Sequence, residues 1–247
     1  MIKTKKISPK NIKIILAASI VIISLALGFV ILKKPKTAPQ TPAIEQAKPL
    51  SPEEMPLVLL SPEEKGHKLL LQVKKAKDID SLEYELIYEL EEGLTRGASG
   101  EIELAQGRGE KSILLGTCSS GTCKYDEGVV GGELTISLKK GNKLRSFKTV
   151  FALWDGSKVR QSSDNRLTIE FMDSKTAQYI LLEGGGLPEP TNQEIVGGPY
   201  NFTSELGREK IEIALNNDGQ LLFWDESKWA EVGGSESSSL GTYIIVK

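Results

Sequence analysis

Glu83-Tyr-Glu-Leu-Ile-Tyr-Glu-Leu-Glu91 sets the fold class of this 247-residue chain. In an extended strand successive side chains point to opposite faces, so Tyr84, Leu86, Tyr88 and Leu90 share one side and Glu83, Glu85, Glu89 and Glu91 the other. Only Ile87 interrupts the alternation. A helix would scatter the same residues around its circumference. The segment therefore predicts a strand with one face in a core and one in water.

Similar runs lie on both sides of it. Lys68 to Val73 precedes it, and Glu101 to Leu104, Ser112 to Thr117, Glu133 to Leu138 and Arg145 to Leu153 follow, separated by turn clusters such as Gly107-Arg-Gly109 and Lys140-Gly-Asn142. The pattern restarts after Asp155-Gly156, with strands expected at Leu167 to Phe171, Gln178 to Leu182, Lys210 to Leu215, Gln220 to Trp224 and Thr242 to Val246. Asn217-Asp218-Gly219 is a hairpin signal between two of them. Short strands at this spacing predict an all-β chain with two antiparallel β-sandwich domains, residues 57–155 and 156–247, each large enough for its own core. The polar turn Ser162-Ser-Asp-Asn165 places the boundary near Asp155 to Asp164. Trp154-Asp-Gly-Ser-Lys158 and Trp224-Asp-Glu-Ser-Lys228 share Trp-Asp-x-Ser-Lys, which two related sandwiches or two similar hairpins would both produce.

The N-terminal fifth has a different composition. Ile14 to Leu32 runs nineteen residues without a charge, about 28 Å as a helix and so close to the thickness of a hydrocarbon core. Five lysines precede it in the basic tail 1–13, and Lys33, Lys34 and Lys36 follow. The positive-inside rule then places the N-terminus in the cytoplasm and the C-terminal bulk outside. The expectation is a single-pass cell-membrane protein with residues 14–32 as its transmembrane helix. A cleaved signal peptide, suggested by Ala26-Leu27-Gly28, would export the same domains.

Residues 33–56 carry Pro35, Pro39, Pro42, Pro49, Pro52 and Pro56, too little apolar content to fold, and predict an extended stalk of up to roughly 70 Å. Within and after it, Leu50-Ser-Pro-Glu-Glu54 and Leu60-Ser-Pro-Glu-Glu64 repeat a helix-start pattern with no room to grow, and read as turns or strand flanks.

Charge narrows the partners. Whole-chain net charge is −2, but eight lysines and no acid precede residue 37, so the rest holds 23 basic against 33 acidic side chains, a net −10. A region this acidic repels phosphate backbones, which excludes nucleic acid as a partner.

The opening of the first β region, Leu57-Val-Leu-Leu-Ser-Pro-Glu-Glu64, then Lys68 to Val73 and Tyr84 to Leu90, resembles the first strands of cohesin-like and other immunoglobulin-like sandwiches on bacterial surfaces. It covers about 35 residues and includes no site motif. With anchor and stalk added, the chain resembles membrane-anchored bacterial surface proteins, which implies display or binding of a protein or glycan ligand, without a cofactor.

Cys118 and Cys123 bracket Ser-Ser-Gly-Thr and, in an oxidising compartment, predict a disulfide across a tight turn. Zinc would need two ligands more, and the chain has a single His, so no metal is expected. Leu115-Gly-Thr-Cys118 is also similar to the end of the Thr-Leu-x-Thr-Cys motif of sortases, membrane-anchored cysteine transpeptidases. That resemblance implies Cys118 as thiolate nucleophile, His67 as acid/base and Arg145 at the oxyanion. Leu114 departs from the motif's leading Thr, Cys123 lies close enough to quench the thiol, and 129 residues follow Cys118.

Other candidates have plainer readings. The acidic stripe Glu83, Glu85, Glu89 and Glu91 is expected to be a solvated face, since alternate strand positions lie about 6.8 Å apart, too far to share one Ca²⁺. Ser137-Leu-Lys-Lys140 matches Ser-x-x-Lys but sits at a strand end. Asn201-Phe-Thr203 is a glycosylation sequon. Trp154, Tyr200, Trp224 and Trp229 would form a ligand platform if exposed, though aromatics on strands usually pack in cores. The expectation for the whole is an extracytoplasmic binding, adhesion or structural module that is not an enzyme, with a sortase-like transpeptidase as the alternative.

Overall fold

The computed structural model describes residues 50–155, 159–171, 177–206, 210–233 and 237–247. The expected transmembrane segment Ile14–Leu32 lies outside the described residues. Among those described, no helix is long and apolar enough to cross a membrane.

The described chain is all-β, its only helical turn being Glu64–Gly66. In chain order the strands begin with β1 (Leu57–Glu63), β2 (Lys68–Lys74), β3 (Ser81–Leu90), β4 (Thr95–Ile102), β5 (Gly109–Leu114) and β6 (Gly116–Ser119). β7 (Thr122–Tyr125), β8 (Val129–Lys140), β9 (Lys143–Trp154), β10 (Arg160–Gln161), β11 (Leu167–Phe171) and β12 (Tyr179–Glu183) follow. The last are β13 (Ile195–Ser204), β14 (Lys210–Leu215), β15 (Gln220–Trp224), β16 (Trp229–Glu231), β17 (Ser237–Ser239) and β18 (Thr242–Val246).

Nine strands form one antiparallel sheet in the order β16-β15-β18-β13-β12-β9-β8-β3-β4. Two smaller sheets, β1-β2-β5 and β10-β11-β14-β17, pack on it, and β6 and β7 stand apart as a hairpin. This layering is consistent with a β-sandwich.

Strand alternation explains how one sheet serves two cores. The first core joins Leu60, Leu69 and Leu71 of the small sheet to Leu82, Leu86, Leu134, Ile136, Phe151 and Leu153 of the large one. The second joins Leu167, Ile169, Ile211 and Ile213 to Tyr200, Phe202, Tyr243 and Ile245. Strand β12 feeds both: Ile180 and Leu182 belong to the first core, Tyr179 and Leu181 to the second. Alternate residues point to opposite faces, so the two small sheets cover opposite faces of the shared sheet. Burial on both sides is why β12 reads as an unbroken apolar run. A third cluster, Leu187, Leu222, Ile244 and Val246, is closed by Ile195 and Trp229.

β3 has the expected alternation, with Leu82, Tyr84, Leu86, Tyr88 and Leu90 buried and the residues between them exposed, Ile87 included. Its neighbour β4 runs Thr95–Ile102, earlier than the Glu101 to Leu104 that hydrophobicity suggested. The side chain of Tyr84 lies over Gly100, its register partner, so closely that a Cβ there would sit 3.0 Å from the hydroxyl. The tyrosine supplies the packing that the glycine lacks.

Residues 50–56 correct the far end of the expected stalk. Leu50 joins the first core. The Gly186 amide donates to the Pro56 carbonyl at 2.9 Å and that of Leu187 to Pro52 at 3.3 Å. A Cβ at Gly186 would meet the Met55 carbonyl at 2.2 Å, so this approach requires glycine. The stalk reading is left with the residues before Leu50, which lie outside the described ones.

Candidate functional site

A cleft of about 290 Å³ opens where the ends of β3, β8, β9 and β12 meet, beside the seam between the two cores. Lys65, Gly66 and His67 come from the turn joining β1 to β2, and Glu91 from the end of β3. Asp126 to Val130 lead from the hairpin into β8, Leu153 to Asp155 end β9, and Arg160 and Gln178 complete the lining.

Each wall is fixed by bonds that the local sequence dictates. Glu64, Lys65 and Gly66 all have positive φ, a tight reversal that sets His67 at the cleft. Lys65 donates its amide to Glu205 Oε1 at 2.8 Å, which braces this turn from 140 residues away. The imidazole of His67 stacks on Tyr125, with ring centres 4.5 Å apart and planes at 27°. At the next residue, the Tyr88 hydroxyl donates to Asp126 Oδ2 at 2.7 Å. Burial first, and then the Asp126 carboxylate, push the Tyr88 hydroxyl far above the usual tyrosine range, so it remains a neutral donor. The Arg160 guanidinium lies 5.8 Å from the centre of the Trp154 ring, a cation–π contact between two lining residues.

The lining thus offers carboxylates from Glu91, Asp126, Glu127 and Asp155, cations from Lys65 and Arg160, and the His67 imidazole. Among the described lining residues none is a Ser, Thr or Cys. The lining groups can donate and accept hydrogen bonds and carry charge of both signs.

The residues proposed for transpeptidation are not gathered here. Cys118 is bonded to Cys123 across β6 and β7, with Cα atoms 4.0 Å apart, so its sulfur is no thiolate. Arg145 is exposed near the β8–β9 turn, nine residues along β9 from Trp154, about 30 Å at strand rise. His67 alone of the three lines the cleft.

The other sequence candidates separate as well. Glu83, Glu85 and Glu89 are exposed on the open face of β3, while Glu91, beyond the strand end, turns into the cleft. Among the described residues no group of three or more His, Cys, Asp or Glu is placed to hold a metal ion. Ser137 lies within β8. The strand aromatics do not make an exposed platform: Trp154 and Tyr200 are core residues, 9% and 1% exposed. Trp224 and Trp229 pack edge to face across their hairpin with centres 5.4 Å apart. Asn201 is only 1% exposed and accepts the Thr242 hydroxyl at 2.7 Å, leaving a glycan no room in the folded chain.

A second polar cluster holds the turn at Ser162. Asp164 accepts hydrogen bonds from the Ser162 hydroxyl at 2.6 Å, the Tyr200 hydroxyl at 2.5 Å and the Arg166 amide at 3.1 Å. Partial burial works to raise its carboxyl, but these donors and the Arg166 charge outweigh it and hold the group below the usual range. Nearby Glu183 accepts from the Ser163 amide at 2.8 Å and hydroxyl at 2.7 Å. Its burial wins over those bonds and raises its carboxyl.

Sequence reasoning missed Asp126, Glu127, Asp155 and Arg160 as cleft residues. The one available signal was Asp126-Glu-Gly128, an acidic turn directly after the cysteine hairpin. No protein-family model, curated protein or solved structure matches the chain.

Proposed function

We propose that the protein is a membrane-anchored, extracytoplasmic binding or adhesion module without catalytic activity. Ile14 to Leu32 anchors it, and tandem immunoglobulin-like sandwiches present the cleft between His67 and Asp126 to a polar protein or glycan ligand. The observation that carries this reading is the cleft itself, which concentrates charged and hydrogen-bonding groups at the seam of the fold, with no Ser, Thr or Cys among its described lining residues. The lysine bias around the apolar run supports the orientation. The Cys118–Cys123 disulfide suits an oxidising compartment.

Two experiments test it. Protease added to intact cells or spheroplasts should remove the region beyond residue 36, and full protection there overturns the orientation. The full chain in detergent should select ligands from glycan and peptide arrays, and Glu127→Lys or Arg160→Ala should abolish selection without changing the melting temperature. Selection that ignores both substitutions would remove the cleft from the reading.

A further inference from the structure

The edges of the sheets are treated unequally. An edge strand exposes unpaired N–H and C=O groups that recruit another strand, and proteins blunt such edges by shortness, charge, proline or bulges. Among the described residues β10 has two residues, β16 and β17 three each, and β6 and β7 four each. β1 carries Pro62, and its Leu60 carbonyl accepts the Thr203 hydroxyl at 2.5 Å. β5 exposes Glu110 and Lys111.

β4 uses none of these devices along its middle. It is eight residues long and pairs with β3 in unbroken register from Leu82 opposite Ile102 to Glu89 opposite Thr95. It holds no proline or lysine, and between Arg96 and Glu101 lie only Gly97, Ala98, Ser99 and Gly100.

The charged positions of β3 on the open face beside this edge are all acidic, and the cations of that face, Lys139 of β8 and Lys148 of β9, lie farther from the edge. Glu83, Glu85 and Glu89 of β3 point to this face, with Glu101 of β4 and Glu133 of β8. Glu83 stands directly opposite Glu101, a like-charge pair that destabilises a sheet. Lys148 engages Glu133 at 3.0 Å, but no ion pair among the described residues engages Glu83, Glu85, Glu89 or Glu101. Besides Glu101, only Thr95, Gly97 and Ser99 of β4 lie on this face between the β3 carboxylates and the sheet edge.

We propose that β4 is a docking edge for an extended polypeptide segment carrying Lys or Arg at alternate positions. A strand added to β4 lies about 9.6 Å from β3, twice the strand spacing. Long cationic side chains on its acidic-face positions can lie across Gly97 and Ser99 and reach the β3 carboxylates. The alternate positions meet Arg96, Ala98, Gly100 and Ile102, which favour small or apolar residues. Backbone pairing supplies affinity and the alternating charge supplies choice of partner. The site is separate from the cleft, so either can fail without the other.

The test uses the full chain in detergent and three labelled peptides matched in length to β4, read by fluorescence anisotropy. One alternates Lys with Thr, one has the same composition with its lysines in a block, and one alternates Glu with Thr. Successive amides along a strand point to opposite sides, so one of Ala98→Pro and Ser99→Pro removes an outward donor and leaves the β3 ladder whole. The alternating Lys peptide should bind, the block peptide about tenfold more weakly, and the proline variant that melts like the parent should lose binding. Glu85→Lys with Glu89→Lys should transfer preference to the Glu peptide, and decides the matter if both proline variants unfold. Equal binding of block and alternating peptides, binding that survives the proline or the charge reversal, or binding of no peptide overturns the proposal. Proline-sensitive self-association does so too, by making a second copy the occupant.

Discussion

Tyr88 and Asp126 are joined by a hydrogen bond of 2.7 Å that ties the buried side of β3 to the wall of the cleft. A tyrosine whose ring fills a core and whose hydroxyl meets a carboxylate fixes position as well as stability. Tyr88→Phe should cost about 1.5–3 kcal/mol, the range for a hydrogen bond to a charged group, measured as a fall in the urea midpoint at constant slope. Ligand selection by the cleft should weaken further than that fall accounts for. An unchanged midpoint would show that the bond contributes nothing to the fold.

Asp164 and Glu183 should give the protein opposing pH responses. Glu183 is raised by burial, so its contribution is fully present below the unfolded glutamate value of about 4.3 and is lost as pH rises through the folded value. Asp164 is lowered, so its contribution is present above the unfolded aspartate value of about 3.9 and is lost as pH falls through the folded value. Relative to Glu183→Gln, the parent should gain stability as pH is lowered from neutral. Relative to Asp164→Asn, it should lose stability below about pH 4. Urea midpoints of the three proteins across that range check both signs.

The same residues show what a single sequence can disclose. β3 is legible because one of its faces is solvated and the other packed, which writes the alternation into the chain. β13 is not, because Gly197-Gly198-Pro199 reads as a turn, and in the structure its pairing with β18 shifts register on both sides of Gly197. β4 is hidden for a similar reason, since two glycines carry no pattern and the packing comes from Tyr84. The cleft is assembled from strand ends far apart in the chain, so no local spacing announces it. His67 lines the cleft without Cys118, which the hairpin pairs to Cys123.

The disulfide should matter locally. Closing so short a loop constrains the unfolded chain by about 2 kcal/mol, an upper bound for a hairpin exposed along most of its length. Cys118→Ser should therefore shift the global midpoint by no more than that, while hydrogen exchange quickens at Gly116 to Tyr125. Denatured, unreduced parent should take up no alkylating reagent. Alkylation at Cys118 alone would return a reactive thiol to this position.

The division at residue 155 into two domains that fold alone is the last expectation to test, and β12 determines how. By sequence β12 falls in the second region, yet Ile180 and Leu182 pack into the first core and the strand pairs with β9 along its whole length. A fragment of residues 57–160 therefore lacks three buried side chains of that core, Leu50, Ile180 and Leu182, and exposes the edge of β9. If the first region is a domain, this fragment should melt cooperatively, at a lower temperature than the full chain. Leu182→Ala in the full chain should then cost about 2–5 kcal/mol in the transition of the first region, and Leu181→Ala a similar amount in that of the second. Calorimetry should resolve the two transitions, because each substitution moves a different one. If both substitutions move one shared transition, and neither half folds alone while residues 57–247 do, the chain is a single larger β fold. The continuous sheet would then be its cooperative unit, with the cleft at a seam inside one domain.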